Sequence, residues 1–381
     1  MTTAHPHTDN RILHKECAAL AAAGFDTCLV AVAPHDARRD GVTIAALPPR
    51  RGRLARMIVG PVDAWRALGR LKPDLIHVHD PELIPLALLW RWLHRRPAVY
   101  DAHEDLAKQV LGKTYLPALA RSVAAALARL LHHAADQLLD GIVAATPAIG
   151  RGFVHAPVTL VQNFPWLSAF PEPSPLTEES RSVTYVGAIS AGRGLSEMVC
   201  AARRTGCELV LVGRTMDHED ERYLAAAGPE VRLTGAVEVD EIPALLAVSR
   251  VGLALLHPLP NYLESQSTKI YEYMAAGRPF VASNFSSWRD QLEPFGCGIF
   301  VDPLDQEEVD AAVGVLLQDL PLAREMGARG RVALEEHFVF EREAELLVEM
   351  TRRLLDARHV QASPVRPPPA HRPSAAVRSP R

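Results

Sequence analysis

The chain of 381 residues balances 41 Lys+Arg against 45 Asp+Glu with 48% hydrophobic residues, an ordinary globular composition on a chain too long for one core. It has no run of the roughly 18–20 apolar residues a membrane span needs. Five scattered cysteines without C-x-x-C spacing, and no apolar leader where His5, His7 and Asp9 stand, argue against a secreted disulfide scaffold and for a cytoplasmic protein.

The charge is uneven. Residues 1–165 hold 19 Lys+Arg against 14 Asp+Glu, and residues 166–357 hold 17 against 31. A basic half beside an acidic half predicts an anionic partner for the first, and no nucleic-acid motif accompanies it. Arg11 to Ala23 has the period of an amphipathic helix closed by Gly24, and Phe25 to Val32 reads as a strand. Arg50, Arg51, Arg53 and Arg56 form a basic loop and helix entrance, either a solvated surface or a contact for anionic lipid headgroups. Leu75 to Val78 reads as a strand, and Pro81 opens a helix over Leu83 to Leu93 that carries Trp90 and Trp92, core-packing or interfacial.

Ala98 to Glu104 is another short strand with polar residues at its carboxyl end, where open parallel sheets hold ligands. His77, His79, Asp80 and His103 cluster there if the two strands are neighbours. Since H-x-H puts both imidazoles on one strand face, a metal-dependent hydrolase built on His77, His79 and Asp80 is one alternative. Residues 117–139 read as a long structural helix, Gly141 begins a further strand, and the Pro/Ser-rich stretch Gln162 to Glu179 marks an interdomain linker.

The second half opens with a strand, Ser182 to Val186, then Gly187-Ala-Ile-Ser-Ala-Gly192-Arg193-Gly194 and a helix to Arg204. A strand, a glycine-bearing loop with one arginine and a helix N-terminus make a phosphate cradle. Its spacing is not that of a dinucleotide fingerprint. Strands over Glu208–Val212, Val231–Thr234 and Val251–Leu256 alternate with helices, as in a second doubly wound parallel sheet.

Asn261 to Ser283 carries the strongest signal. Ser267 or Thr268 caps a helix over Lys269–Ala276 with an apolar stripe of Ile270 and Met274, Gly277 stops it, and Phe280–Ser283 reads as a buried strand. Glu264 and Glu272 bracket the helix start. Two arrangements fit these residues. One is a solvated Lys269–Glu272 pair on an amphipathic helix. The other is a nucleotide-sugar site, with Lys269 and the helix N-terminus on a diphosphate and the glutamates on ribose and sugar hydroxyls. Beyond it come a strand from Gly298, helices over Gln306–Gln318, Pro321–Glu336 and Glu341–Leu355, and a tail at 360–381 whose composition predicts disorder.

Glu264-x7-Glu272 followed by YMAAGRPFVAS resembles the donor-binding signature of retaining glycosyltransferases of family four. The resemblance is close in the C-terminal half and looser in the N-terminal half. It implies the α/β GT-B fold, two Rossmann-like doubly wound parallel-sheet domains facing across a cleft. The expected divisions are 1–165, 166–345, a helix at 346–359 crossing back, and the tail. It further implies a metal-independent transferase without a cofactor, moving sugar from a nucleoside-diphosphate sugar to a glycan or lipid-linked acceptor in cell-surface polysaccharide synthesis.

By that resemblance Arg193 and Lys269 stabilise the leaving group, Glu272 holds ribose, and Glu264 and His103 contact the sugar. Gly187, Gly192, Gly194, Ser267 and Thr268 line the donor, with Ala236 and Val237 at the base edge. Ser265-Gln266-Ser267 replaces the glycine-rich turn of many members, and Ala188 stands where a second basic residue is usual, which shifts phosphate binding onto Lys269. The opening H-P follows a first strand in one subgroup, so that strand is expected to be very short here or to begin upstream of Met1. A sugar-nucleotide epimerase and a non-catalytic sugar-nucleotide binder remain as further alternatives.

Overall fold

A computed structural model describes residues 1–50, 52–103 and 118–362. Arg51 of the basic loop, Glu104 and nearly all of the expected disordered tail lie outside the described residues.

The first half holds strands β1 (Cys28–Val32), β2 (Ala37–Arg39), β3 (Val42–Leu47), β4 (Ile76–Val78), β5 (Ala98–Ala102), β6 (Gly141–Ala144) and β7 (Val158–Leu160). They form two ladders, ordered β1-β3-β2 and β4-β5-β6-β7, parallel except where β2 meets β3. Residues 1–7 stitch them together. The Thr2 amide donates to the Val30 carbonyl (2.9 Å), Pro6 bridges Val32, and the His79 amide donates to the Met1 carbonyl (3.1 Å). The short opening segment thus fills the place of the first strand, and its carboxyl end delivers His5 and Asp9 beside those of β4 and β5.

The sequence reading assigns no element to β2 and β3 and treats Arg53 only as a helix entrance. A helix in fact runs over Arg53–Leu71. It joins the helices Ile84–His94 and Ala118–Leu138 on one face of the sheet, over a core that includes Ala64, Trp90 and Ala135. The expected amphipathic helix after Arg11 starts as a π-helical stretch, Ile12–Cys17, continued by Ala18–Ala22. Its wide turn buries Lys15 and Glu16 together with Ile12 and Leu13.

The second half is a single parallel sheet of β8 (Val183–Val186), β9 (Leu209–Val212), β10 (Val231–Gly235), β11 (Val251–Ala254), β12 (Phe280–Ser283) and β13 (Gly298–Val301). Their spatial order is β10-β9-β8-β11-β12-β13, the doubly wound order whose ligand crevice lies where the winding reverses, between β8 and β11. All four residues in each of β8, β9, β11 and β12 are buried, as expected of strands covered on both faces.

The chain leaves the first half at 162–166 and returns in the helix Phe340–Ala362, ahead of the division at 345 expected from sequence. Phe340, Leu347 and Met350 pack with Val99 and Val143 of the first sheet. Two bonds lock the passages together, Phe340 amide to Pro165 carbonyl (2.9 Å) and Gln162 amide to Glu343 carboxylate (2.7 Å), and Trp166 Nε1 anchors the first of them to the His14 carbonyl (2.8 Å).

Candidate active site

Between the halves lies a cleft of about 590 Å³, lined from the first half by His5, Asp9, Arg11 and His103 and from the second by Arg193, Glu264, Gln266, Ser267, Thr268 and Lys269. Six residues expected in the site are therefore brought together: His103, Arg193, Glu264, Ser267, Thr268 and Lys269. Glu272, Gly187, Gly192, Gly194 and Val237 are not among the lining residues.

The glycines act from behind the wall. Gly194, at φ +82°, caps the helix Leu195–Thr205, and a Cβ there would lie 2.3 Å from the Leu255 carbonyl oxygen. That contact presses the Arg193 loop against the end of β11. Gly187 stands so that a Cβ would sit 3.4 Å from Lys269 Cε, and Gly213 packs its Cα face onto the Gly187 carbonyl. Only glycine allows the ends of β8 and β9 to meet in this way. Val237 instead packs against the core beneath the sheet.

The helix Thr268–Ala275 departs from its expected amphipathic form. Every residue from Lys269 to Ala275 is buried, so the solvated Lys–Glu pair is ruled out. The tyrosines among them keep their hydroxyls satisfied, Tyr271 on Gln291 (2.9 Å) and Tyr273 on the Leu253 carbonyl (2.8 Å). Ser267 occupies the N-cap without a side-chain bond to the helix, and its buried Oγ has no hydrogen-bond partner. The Ile270 amide closes on the Ser267 carbonyl (3.1 Å), so the Thr268 and Lys269 amides at the tip and this hydroxyl are left for a ligand.

Two cations flank that helix tip. Lys269 Nζ lies 5.1 Å from the centroid of the Tyr185 ring and the Arg193 guanidinium 5.5 Å from that of Tyr262. Burial, then the neighbouring Arg193, draws the Lys269 ammonium down to about 8, with Glu272 opposing. Deeper on the helix, burial pushes Glu272 above the usual carboxylate range, against Lys15 and Lys269. Lys15 comes from the first half, donates to Asn163 Oδ1 (2.6 Å) and is itself pulled down to about 7 by burial, with Glu272 the foremost charge opposing.

Across the cleft, His103 Nδ1 lies 3.6 Å from Asp101 Oδ1, and His5 meets the His103 ring edge-on at 5.1 Å. Burial alone would lower His103, but the nearby Asp101 carboxylate outweighs it and holds the imidazole above its ordinary value. Asp101 is fully buried and takes Arg11 Nε at 3.1 Å and His79 Nδ1 at 3.4 Å. Despite burial, Arg11 and its other partners hold its carboxylate well below the usual range. Glu16 is driven up by burial and by Asp101, with Arg11 opposing at 2.9 Å.

This corrects the metal grouping drawn from sequence. Asp80 does not join the imidazoles, because its carboxylate accepts from Thr2 Oγ1 (2.9 Å), Thr3 Oγ1 (3.1 Å) and the Ala4 amide (3.0 Å). His77 and His79 gather instead with Glu16 and Asp101, all four ligand atoms within 4.8 Å. The cation between those carboxylates is the Arg11 guanidinium, which also donates to the Val161 carbonyl (2.9 Å).

Sequence reasoning missed Arg11, Lys15, Asp101 and Asn163 as members of the site. Their signal was faint: polar residues at positions that helix and strand periodicity mark as inward.

Known proteins match this architecture half by half. Residues 10–159 match the family described as "Glycosyl transferase 4-like domain" and residues 181–319 the family described as "Glycosyl transferases group 1". The chain is 26% identical over 323 residues to a phosphatidyl-myo-inositol mannosyltransferase of Mycolicibacterium smegmatis, covering 78% of each chain. It is also 26% identical over 290 residues to a GDP-mannose-dependent alpha-mannosyltransferase of the same species, covering 71% of this chain and 72% of the relative.

Among solved structures, sucrose-phosphate synthase of Thermosynechococcus elongatus superposes with a TM-score of 0.72 at 19% identity, covering 90% of this chain and 92% of the other. Anabaena HepE in complex with UDP superposes at 0.65 and 13% identity, covering 88% and 94%. With both halves of the chain matched and both sheets in place, the protein is a glycosyltransferase with the GT-B fold and belongs to the GT4-type family.

Proposed function

We propose that the protein is a retaining transferase that moves a sugar from a nucleoside-diphosphate donor to a glycan or lipid-linked acceptor in cell-surface polysaccharide synthesis. The observation that carries this reading is the convergence of Arg193, Lys269 and the N-terminal tip of the Thr268–Ala275 helix on one wall of the cleft, opposite His103.

Departure of a diphosphate puts negative charge on its bridging oxygen, and cations fixed beforehand lower the barrier to that step. Lys269, Arg193 and the amides at the helix tip receive the diphosphate, and Ser267 Oγ donates to a phosphate oxygen. Glu272 holds the ribose hydroxyls from below. His103 and Glu264 orient the sugar from opposite walls, and the acceptor hydroxyl attacks on the face the diphosphate leaves. The acceptor enters from the first half, past His5 and Asp9. No step requires a metal or an organic cofactor, and the work belongs at the cytoplasmic face of a membrane when the acceptor is lipid-linked.

A relative named for GDP-mannose and neighbours solved with UDP leave the base and sugar to experiment. The test is a panel of sugar nucleotides read by shift in melting temperature, then turnover with and without acceptor. A tightly shifting donor consumed only with acceptor supports transfer, whereas donor turned over alone identifies an epimerase. Loss of turnover with a chelator, restored by a divalent ion, overturns the metal-independent reading.

A further inference from the structure

We propose that the outer face of the three helices Arg53–Leu71, Ile84–His94 and Ala118–Leu138 is a docking surface for an anionic lipid bilayer. The three lie side by side over one core. Trp65 of the first meets Trp90 of the second edge-on at 5.8 Å, and the second packs on the third.

Their inner faces are accounted for by that core, but their outer faces are not polar as solvated helices normally are. On the first helix Ile58 and Val62 are exposed one turn apart. On the second, Leu89 and Leu93 are exposed with Trp92, which is 75% accessible. On the third, Val123, Leu127 and Leu130 follow one another at helical spacing, all more than half exposed. Scattered exposed apolar residues need no explanation, but stripes on adjacent helices do.

Charge selects the occupant. Beyond its entrance at Arg53, this layer carries six arginines (Arg56, Arg66, Arg70, Arg91, Arg121, Arg129) against two carboxylates. Arg56 and Arg91 pair with Glu82 (3.4 Å) and Asp140 (2.8 Å) of the adjoining turns, and the layer keeps a net positive charge. Both of its own carboxylates are engaged within the protein. Asp63 is held by Arg50 at 2.9 Å, and Asp136 accepts from the Val154, His155 and Ala156 amides. An apolar face with a tryptophan, a surplus of arginine and no outward acid matches the acyl–headgroup boundary of an anionic leaflet. The same half supplies His103 and the expected acceptor wall of the cleft, so seating it on lipid brings the acceptor side to the surface. The inference adds a location to the proposed function, and vesicle binding is measured without any donor or acceptor.

The test is co-sedimentation of the full chain with vesicles of phosphatidylcholine alone and of phosphatidylcholine mixed with phosphatidylglycerol. The wild type is expected to bind the mixed vesicles, less so as salt is raised. The double variant Trp92→Glu/Leu127→Glu, both at exposed positions, is expected to bind on the order of tenfold more weakly or worse, with an unchanged melting temperature. As a second measurement, brominated lipid is expected to quench tryptophan emission in the wild type and less in the conservative Trp92→Phe.

Failure of the wild type to bind mixed vesicles overturns the inference. So does equal binding by the double variant, or quenching unaltered in Trp92→Phe. A wild-type dimer in solution that the double variant converts to monomer, with neither binding vesicles, assigns the face to a second copy and overturns it too. None of these outcomes depends on whether the chain turns over a sugar nucleotide.

Discussion

Lys269 is the residue on which stability and catalysis should pull in opposite directions. Burial brings its ammonium from an ordinary 10.5 to about 8, which at 1.36 kcal/mol per decade sets about 3 kcal/mol against the empty fold. The sign follows from the proton. The penalty is present while the side chain is charged, so it is in force at neutral pH. It fades as pH rises through about 8 toward 10.5, the range in which the unfolded chain binds the extra proton.

Lys269→Met, similar in length and uncharged, should therefore melt higher than wild type at pH 7, by about 2–4 °C per kcal/mol recovered. The advantage should shrink above pH 8. Turnover should move the other way, down about 10²- to 10³-fold, the effect of removing one preorganised stabiliser of developing charge. For the wild type, kcat/KM should fall as pH rises past about 8 and the ammonium is lost from the free enzyme. The assays are thermal melting across pH and initial rates with the donor found by the panel. A variant that melts no higher at pH 7 and turns over near the wild-type rate would refute both the electrostatic accounting and the assignment.

Three further outcomes are expected. Glu272→Ala should weaken donor binding about 10- to 100-fold by calorimetry, the range for a hydrogen-bonded charge, while slowing bound-state chemistry less; undiminished affinity sinks the ribose role. Asp101→Asn removes the carboxylate behind His103 Nδ1 and should lower the rate about 10²-fold. Because Asp101 raises His103, the pH dependence set by that imidazole should also move to lower pH, and an unmoved profile argues against the pairing. Gly194→Ala forces a Cβ toward the Leu255 carbonyl at a positive φ, so it should lower the melting temperature and loosen Arg193. Melting at the wild-type temperature would show that the contact relaxes freely.

Alternation of short strands and helices was enough to read doubly wound parallel sheets, because parallel strands buried on both faces leave continuous apolar runs such as Leu209–Val212. The GT-B arrangement itself was implied by the resemblance carried by Glu264 to Ser283. The tip of the Thr268–Ala275 helix was readable for the same local reason: an N-cap residue, a lysine and a glycine stop stand within ten positions. What periodicity concealed is informative. Lys269 and Glu272 look like solvent-face residues on a helix wheel, yet the helix is enclosed on all sides, with the Tyr185 ring against Lys269 and Lys15 answering Glu272.

The array behind His103 joins residues as far apart as Arg11 and Asp101. Nothing local marks such a meeting, which is set by where the strands of the sheet end. Asp80 illustrates the reverse error. Proximity to His79 in sequence suggested a shared ligand set, but alternation along an extended chain and the amides of residues 3 and 4 turn it elsewhere.

The paired passages at 162–166 and at Phe340 bear on how the halves can move. Both crossings run side by side, tied by the Phe340 amide to Pro165 and by Glu343 to Gln162. While those ties hold, they act as a double-pinned hinge: the jaws can swing about one shared line, but sliding or corkscrewing would shear both threads together. A cut at either crossing alone should therefore leave the jaws joined yet free to wander off that line.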